Sequence, residues 1–292
     1  MNTVVTRSPL GARELVWIAL PAVLLFALFF PTLRDTALIC WEDEDYSHGL
    51  LLPFIAIYFV YTNWDRIGPK FFDPAVRAGF SLSGLLLLAS GMTIFLLGEI
   101  ANLLYIRWFA FFPAAAGMLF LVFSPARAAP FIGPLLLNFM AKPLPDSLVP
   151  KLFFPLQVMA AKVSARMLEL LNVPVYLKGN IIEIPGMQLM VEEACSGLRS
   201  LMALLTVAFI VLYSIELPFI AKVVLVTSSV FIAIALNVVR VAATGVLAHF
   251  YDPKAATGFF HTFSGLVVFV IGLVILFSFG VLLKRITDRR AA

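Results

Sequence analysis

The chain has 292 residues, 62% hydrophobic and only 13% charged, with 28 Phe. Soluble domains run at about 45–50% apolar and about 25% charged, so a water-soluble enzyme of this size and a disordered chain are both excluded. The net charge of +4 then records membrane topology and is no nucleic-acid footprint, because basic residues collect in the inner loops of polytopic proteins.

A spanning helix needs about 20 apolar residues, within a range of about 17–25. The first such stretch runs from Leu15 to Leu33, entered after Arg7 and Arg13. It looks like a signal peptide until Phe29, Phe30 and Pro31 stand where small residues should mark cleavage, so a retained anchor is expected. Gly49 to Thr62 is a shorter span with Tyr58, Tyr61 and Trp64 as interfacial residues. Ala78 to Gly98 and Leu103 to Phe123 follow, then Ala128 to Ala141, short and interrupted by Pro130 and Pro134. From Lys142 to Ala194 the pattern changes, with Pro143, Pro145, Pro150, Pro155 and Pro174 and scattered charge. Phe153 to Leu171 has apolar residues at helical spacing with Lys162, Arg166 and Glu169 between them, the pattern of an interfacial amphipathic helix. Val175-Tyr176-Leu177 and Ile181 to Ile184 flank Lys178-Gly179-Asn180, a hairpin signal. Open β-structure cannot face lipid, so residues 142–194 are expected to form an extracytoplasmic cap. Gly197 to Ile215, Pro218 to His249 and Phe260 to Leu283 complete the spans. The expected fold is an all-α polytopic membrane protein: about eight transmembrane helices, a small cap between the fifth and sixth, and residues 1–292 forming one integral-membrane domain.

With both termini inside, the inner loops collect Arg7, Arg13, Arg66, Lys70, Arg77, Arg127, Lys222, Lys284, Arg285, Arg289 and Arg290. The short outer loops keep Arg34, Arg107 and Lys254, and the acidic run Glu42 to Asp45 falls outside, which the positive-inside rule tolerates. No internal repeat supports an inverted-repeat transporter.

This topology places Cys195, before the sixth helix, Arg240, about two turns below the outer end of the seventh, and His261, at the start of the eighth, on one side of the membrane. A thiol, a cation and an imidazole are the parts of an activated-thiol site. Each also has a plainer reading. Cys195 alone is a small hydrophobe, and its neighbours Glu192 and Glu193 would raise a thiol pKa while a helix entry would lower it. Arg240 alone could be an interface anchor, although its position within Ile234 to Ala243 costs about 2.5–3.5 kcal/mol on the insertion scale. His261 sits where boundary residues sit. Asn237, one turn before Arg240, is placed to orient the guanidinium. Ser196-Gly197 lacks the strand–turn–helix setting of a nucleophile elbow. His48, in Tyr46-Ser47-His48-Gly49 beside four acidic residues, binds substrate or a cation, or simply turns the chain into the second helix. Cys40 and Cys195 are too few for a disulfide framework, and both are expected as thiols in active protein. Three histidines with no carboxylate cluster in the helices give no metal site.

Ala194-Cys195-Ser196-Gly197-Leu198-Arg199-Ser200, Asn237-Val238-Val239-Arg240 and His261-Thr262-Phe263-Ser264-Gly265 resemble the successive motifs of the exosortase/archaeosortase family, and Trp41 to Gly49 is similar to its early motif. His261 in the third motif resembles the bacterial exosortase branch. The resemblance implies a cysteine protease or transpeptidase of a bacterial inner membrane, multi-pass, with its active site facing the periplasm. Its partners would be membrane lipid and exported proteins bearing a C-terminal tripartite PEP-CTERM signal, often linked to exopolysaccharide production. It further implies Cys195 as nucleophile, His261 as proton shuttle and Arg240 as oxyanion- or carboxylate-binding cation. Asn237, Ser196, Gly197 and His48 would support them, with no cofactor and with an unassigned acyl acceptor. The alternative is a multi-pass transporter, which would not need Cys195, or an assembly subunit for exopolysaccharide export, which would tolerate Arg240 only if a partner helix paired it.

Overall fold

The computed structural model describes residues 12–71, 81–142, 144–145, 147–190, 197–251 and 258–291. The apolar runs fold as helices because a backbone in lipid must satisfy its own hydrogen bonds. Among the described residues, five helices are long and apolar enough to cross a membrane: α1 (Ala12–Glu42), α4 (Leu82–Ile100), α5 (Leu104–Phe123), α9 (Phe219–Phe250) and α10 (Gly258–Ala291). Helices α2 (Leu52–Thr62), α3 (Trp64–Phe71), α6 (Pro125–Leu137) and α8 (Gly197–Ser214) are shorter. Leu266, Val270, Val274 and Phe277 stand exposed along one face of α10, as lipid contact requires.

Helix α1 runs nine residues past the expected end at Leu33. Arg34 and Asp35 lie on it and neutralise each other, Nη2 to Oδ1 at 2.9 Å, so neither charge ends the helix.

The chain packs as two compact units, residues 1–42 with 49–142 and residues 43–48 with 143–292. The first is built on the α4–α5 hairpin. Gly84, Gly91 and Gly98 recur every seven residues on the buried face of α4. A Cβ at Gly91 would stand 2.5 Å from the Ala114 nitrogen, and one at Gly117 of α5 2.3 Å from the Leu88 nitrogen. The two backbones therefore touch, as small residues permit in membrane helices. Arg107 closes the hairpin by pairing with Glu99, Nη1 to Oε1 at 3.1 Å. Phe29 of α1 packs on Phe95, Ala110 and Ala114. Cys40 is buried and its thiol donates toward the Ala141 carbonyl at 3.8 Å. An apolar cavity of about 950 Å³ lies between α1, α2 and α6 in this unit. We predict that Gly117→Leu destabilises the protein by about 3 kcal/mol or more, the upper end for overpacking, since backbone is what must move. Thermal unfolding of the detergent-purified variant measures this.

In the second unit α7 (Val149–Leu170) buries Ala160, Ala161, Ser164, Ala165 and Leu168. This strip lets it pack on α9, where Ser164 Oγ donates to the Val238 carbonyl at 3.2 Å in a buried contact. The expected amphipathic helix thus has its small-residue face committed to protein, while Leu152, Phe154, Met159 and Val163 stay exposed. Strands β1 (Tyr176–Lys178), β2 (Ile181–Ile184) and β3 (Met187–Met190) form an antiparallel sheet in the order β1-β2-β3. Two-residue turns join them, with Gly179 at φ +65° and Gly186 at φ +82°, the left-handed region that glycine adopts freely. Ile182, Ile184 and Leu189 share a core with Leu168, Val173, Val241 and Ala248. Leu201, Leu204 and Ala208 of α8 pack with Leu225 and Ala233 of α9 and Leu276 of α10.

Candidate active site

Arg240 lies on α9 ten residues before its end at Phe250, about 15 Å along the axis at 1.5 Å per residue. That is between two and three turns in, close to the expected depth, with the helix ending one residue beyond His249. Its side chain is buried, at 5% exposure. The guanidinium faces α10: Nε donates to Ser264 Oγ at 3.4 Å, and a Cβ on Gly265 would stand 2.9 Å from Nη2 and 3.1 Å from Cζ. Gly265 is therefore the floor on which the guanidinium rests, and a side chain there would push it away. Residues 264 and 265 follow His261 by three and four positions, which on a helix means the same face one turn along. The backbone of His261 belongs to α10; its side chain, like all of Cys195 and Ser196, lies outside the described residues.

Asn237 is buried on the same helix but serves a different neighbour. Its Oδ1 has no hydrogen-bond partner among the described residues, so it does not accept from Arg240. It lines a narrow cleft of about 30 Å³ with Phe153, Gln157 and Ala160 of α7 and Leu201 of α8. Ser264, and not Asn237, is the described acceptor of the guanidinium Nε.

The region after Cys195 is anchored from another direction. Gly197 opens α8, whose first turn carries backbone N–H groups with no intrahelical acceptor. Arg199, in that turn, bonds Glu44 Oε2 through Nη2 and places Nε 3.6 Å from Asp45 Oδ1. Glu44 and Asp45 belong to the 3-10 turn Glu44–Leu51, which also carries His48. Asp43 starts that turn by accepting the Asp45 backbone N–H at 2.9 Å. The ion pairs thus draw the Tyr46-Ser47-His48 segment to α8. Sequence reasoning left Arg199, Glu44, Asp45, Ser264 and Gly265 without roles. Their signal was present in the motif stretches, but pairing partners 155 residues apart have no periodicity to reveal them.

Asp45 is half-buried, and burial together with the nearby Asp43 carboxylate raises its pKa above 3.8, with Arg199 working in the opposite direction. A folded-state carboxyl that binds its proton more tightly than the unfolded one stabilises below pH 3.8, and this contribution is lost as pH rises through the folded value. Asp45→Asn is therefore predicted to unfold at a higher temperature than wild type near pH 7, with the difference vanishing below pH 3.8. Melting in detergent across that range checks it. Among the described residues, no three His, Cys, Asp or Glu side chains converge as a metal site would require.

The arrangement supplies a buried cation held against α10 one turn from the backbone of His261, with the first turn of α8 joined to an acidic turn. In a low-dielectric setting such a cation stabilises developing negative charge far more than it would in water. The protein-family model of the transmembrane exosortase matches residues 40–278, just over four-fifths of the chain. No curated protein and no solved structure matches it. The match spans the acidic turn, the helix whose first turn carries Arg199 and both partners of the Arg240 contact, and this chain belongs to the transmembrane exosortase family.

Proposed function

We propose that the protein is a membrane-embedded cysteine peptidase or transpeptidase that processes C-terminal PEP-CTERM-type sorting signals of exported proteins. The observation that carries this is the buried Arg240 guanidinium seated on Ser264 and Gly265, one turn from His261. A buried arginine costs free energy that folding alone has no reason to spend. In the proposed reaction the Cys195 thiolate attacks the carbonyl carbon of the scissile peptide, and Arg240 stabilises the resulting oxyanion. His261 takes the thiol proton and returns it to the nitrogen as the C–N bond breaks, so the signal leaves as a free amine and a thioester remains. Water then releases a carboxylic acid, or an amine forms a new amide, and either step returns the thiol. Ser196 and Gly197 sit at the α8 entry, where free N–H groups favour an anion. Asn237 and His48 are assigned to support and substrate contact.

The test is Cys195→Ala, with an exported reporter ending in a Pro-Glu-Pro motif, an apolar helix and a basic tail as substrate. Processing should stop while the variant inserts and accumulates normally, and continued processing would refute the cysteine mechanism. We place the protein in the inner membrane with about eight spans, the 142–194 cap and the site facing the periplasm. Impermeant labelling should then reach position 178 from outside and positions 70 and 289 only after the membrane is opened. Labelling of position 178 from the cytoplasm alone would put Cys195 on the wrong side for exported substrates.

A further inference from the structure

We infer that the free edge of β3 is the docking strand for the extended stretch of substrate that precedes the scissile bond, pairing with it backbone to backbone. The inference rests on the proposed role of Cys195 and extends it to how a substrate is held. In the sheet order β1-β2-β3, β3 pairs with β2 alone among the described residues. The register fixes which groups it offers. Ile184 pairs with Met187 across the two-residue turn Pro185-Gly186, Glu183 with Gln188, Ile182 with Leu189 and Ile181 with Met190. In such a hairpin the pair beside the turn exchanges both hydrogen bonds and the pairs then alternate. The N–H and C=O groups of Gln188 and Met190 therefore point away from β2, toward the open side.

Proteins ordinarily blunt a free edge with charge, proline or a bulge, because unpaired backbone groups recruit other strands. The opposite edge follows that rule: β1 is three residues long and ends in Lys178. Strand β3, Met187-Gln188-Leu189-Met190, has no charge and no proline. One face of the sheet is closed by the core around Leu168, Val241 and Ala248 and the other presents Tyr176 and Gln188 to solvent, so a strand meets the outward backbone groups only by arriving at the edge. The chain also leads from β3 to the nucleophile. Cys195 follows Met190 by five residues, at most about 18 Å of extended chain. A peptide added beside β3 lies parallel to the strand that feeds the active site, and strand addition reads backbone before side chains.

The experiment uses the full-length protein and the same signal-bearing reporter. Proline is tolerated on an edge strand where its missing N–H faces outward, so Gln188→Pro should accumulate normally. It should process the reporter at least about tenfold more slowly, since the docked strand loses a backbone hydrogen bond and its close neighbours shift. Glu183→Ala, which removes the same cross-strand side-chain bond to Gln188 and leaves every backbone group of the edge in place, should process at the wild-type rate. Met190→Pro repeats the test at the second outward group. Wild-type processing by both proline variants, alongside an inactive Cys195→Ala, would overturn the docking strand and leave the cysteine mechanism standing. Failure of both proline variants to accumulate would overturn it too, because those N–H groups would then be bonded within the protein. Unchanged processing with loss of a dimer would assign the edge to a second copy of the chain.

Discussion

Arg240→Lys is expected to slow reporter processing by about a hundred- to a thousand-fold, the usual cost of losing one oxyanion donor, with insertion unchanged. Charge is conserved in this substitution, so the loss isolates geometry. The guanidinium uses Nε for Ser264 and lays Cζ and Nη2 against Gly265, which fixes the orientation of the fork. Lysine offers a rotating point charge on a flexible stem and has no planar edge to rest on that floor. The rate should fall mainly in turnover, because the oxyanion exists only on the path over the barrier. A lysine variant that processes normally would remove Arg240 from the chemistry. Gly265→Ala provides a second approach, since its methyl would displace the guanidinium while leaving Arg240 in the sequence.

His261→Ala is expected to be equally severe and to stay so in alkali. If His261 only generated thiolate, raising the pH toward the ordinary thiol value of about 8.5 would restore the rate. Peptide amines leave poorly unless protonated, however, and a general acid is needed as well as a base. Processing rates for the variant and wild type between pH 6 and 10, in about half-unit steps, distinguish the two roles. A flat, low profile for the variant supports the shuttle. Full recovery above about pH 9 would reduce His261 to a base.

Much of this was legible in the chain because apolar runs and basic loops follow directly from the cost of placing polar groups in lipid. The strands were legible too, since Lys178-Gly179-Asn180 between alternating segments leaves few other conformations. What escaped was whatever depends on two distant segments meeting. The helix α1 extends past Leu33 because Arg34 and Asp35 cancel one another, which a hydropathy window counts as two penalties. The packing of the small-residue face of α7 on α9 was not legible, because Ala160, Ser164 and Ala165 carry no sign of the backbone they meet. Asn237 and Arg240 share a helix and neighbouring positions, yet Arg240 looks to α10 and Asn237 to the α7–α8 cleft. Residues three apart stand roughly 60° from each other around the helix axis, so two residues on one broad face can still meet different neighbouring helices. The Arg199 contact with Glu44 and Asp45 joins segments whose separation in sequence hides it entirely.

The central claim is that the substrate's carbonyl becomes bonded to the sulfur of Cys195, and trapping that bond tests it most directly. Wild-type protein would be mixed with the signal-bearing reporter, quenched in acid during turnover, digested and weighed by mass spectrometry. The peptide containing Cys195 should carry the acyl fragment of the reporter, and neutral hydroxylamine should release it as a thioester requires. An acyl group on Ser196 instead, or steady processing with the Cys195 peptide always unmodified, would contradict the mechanism.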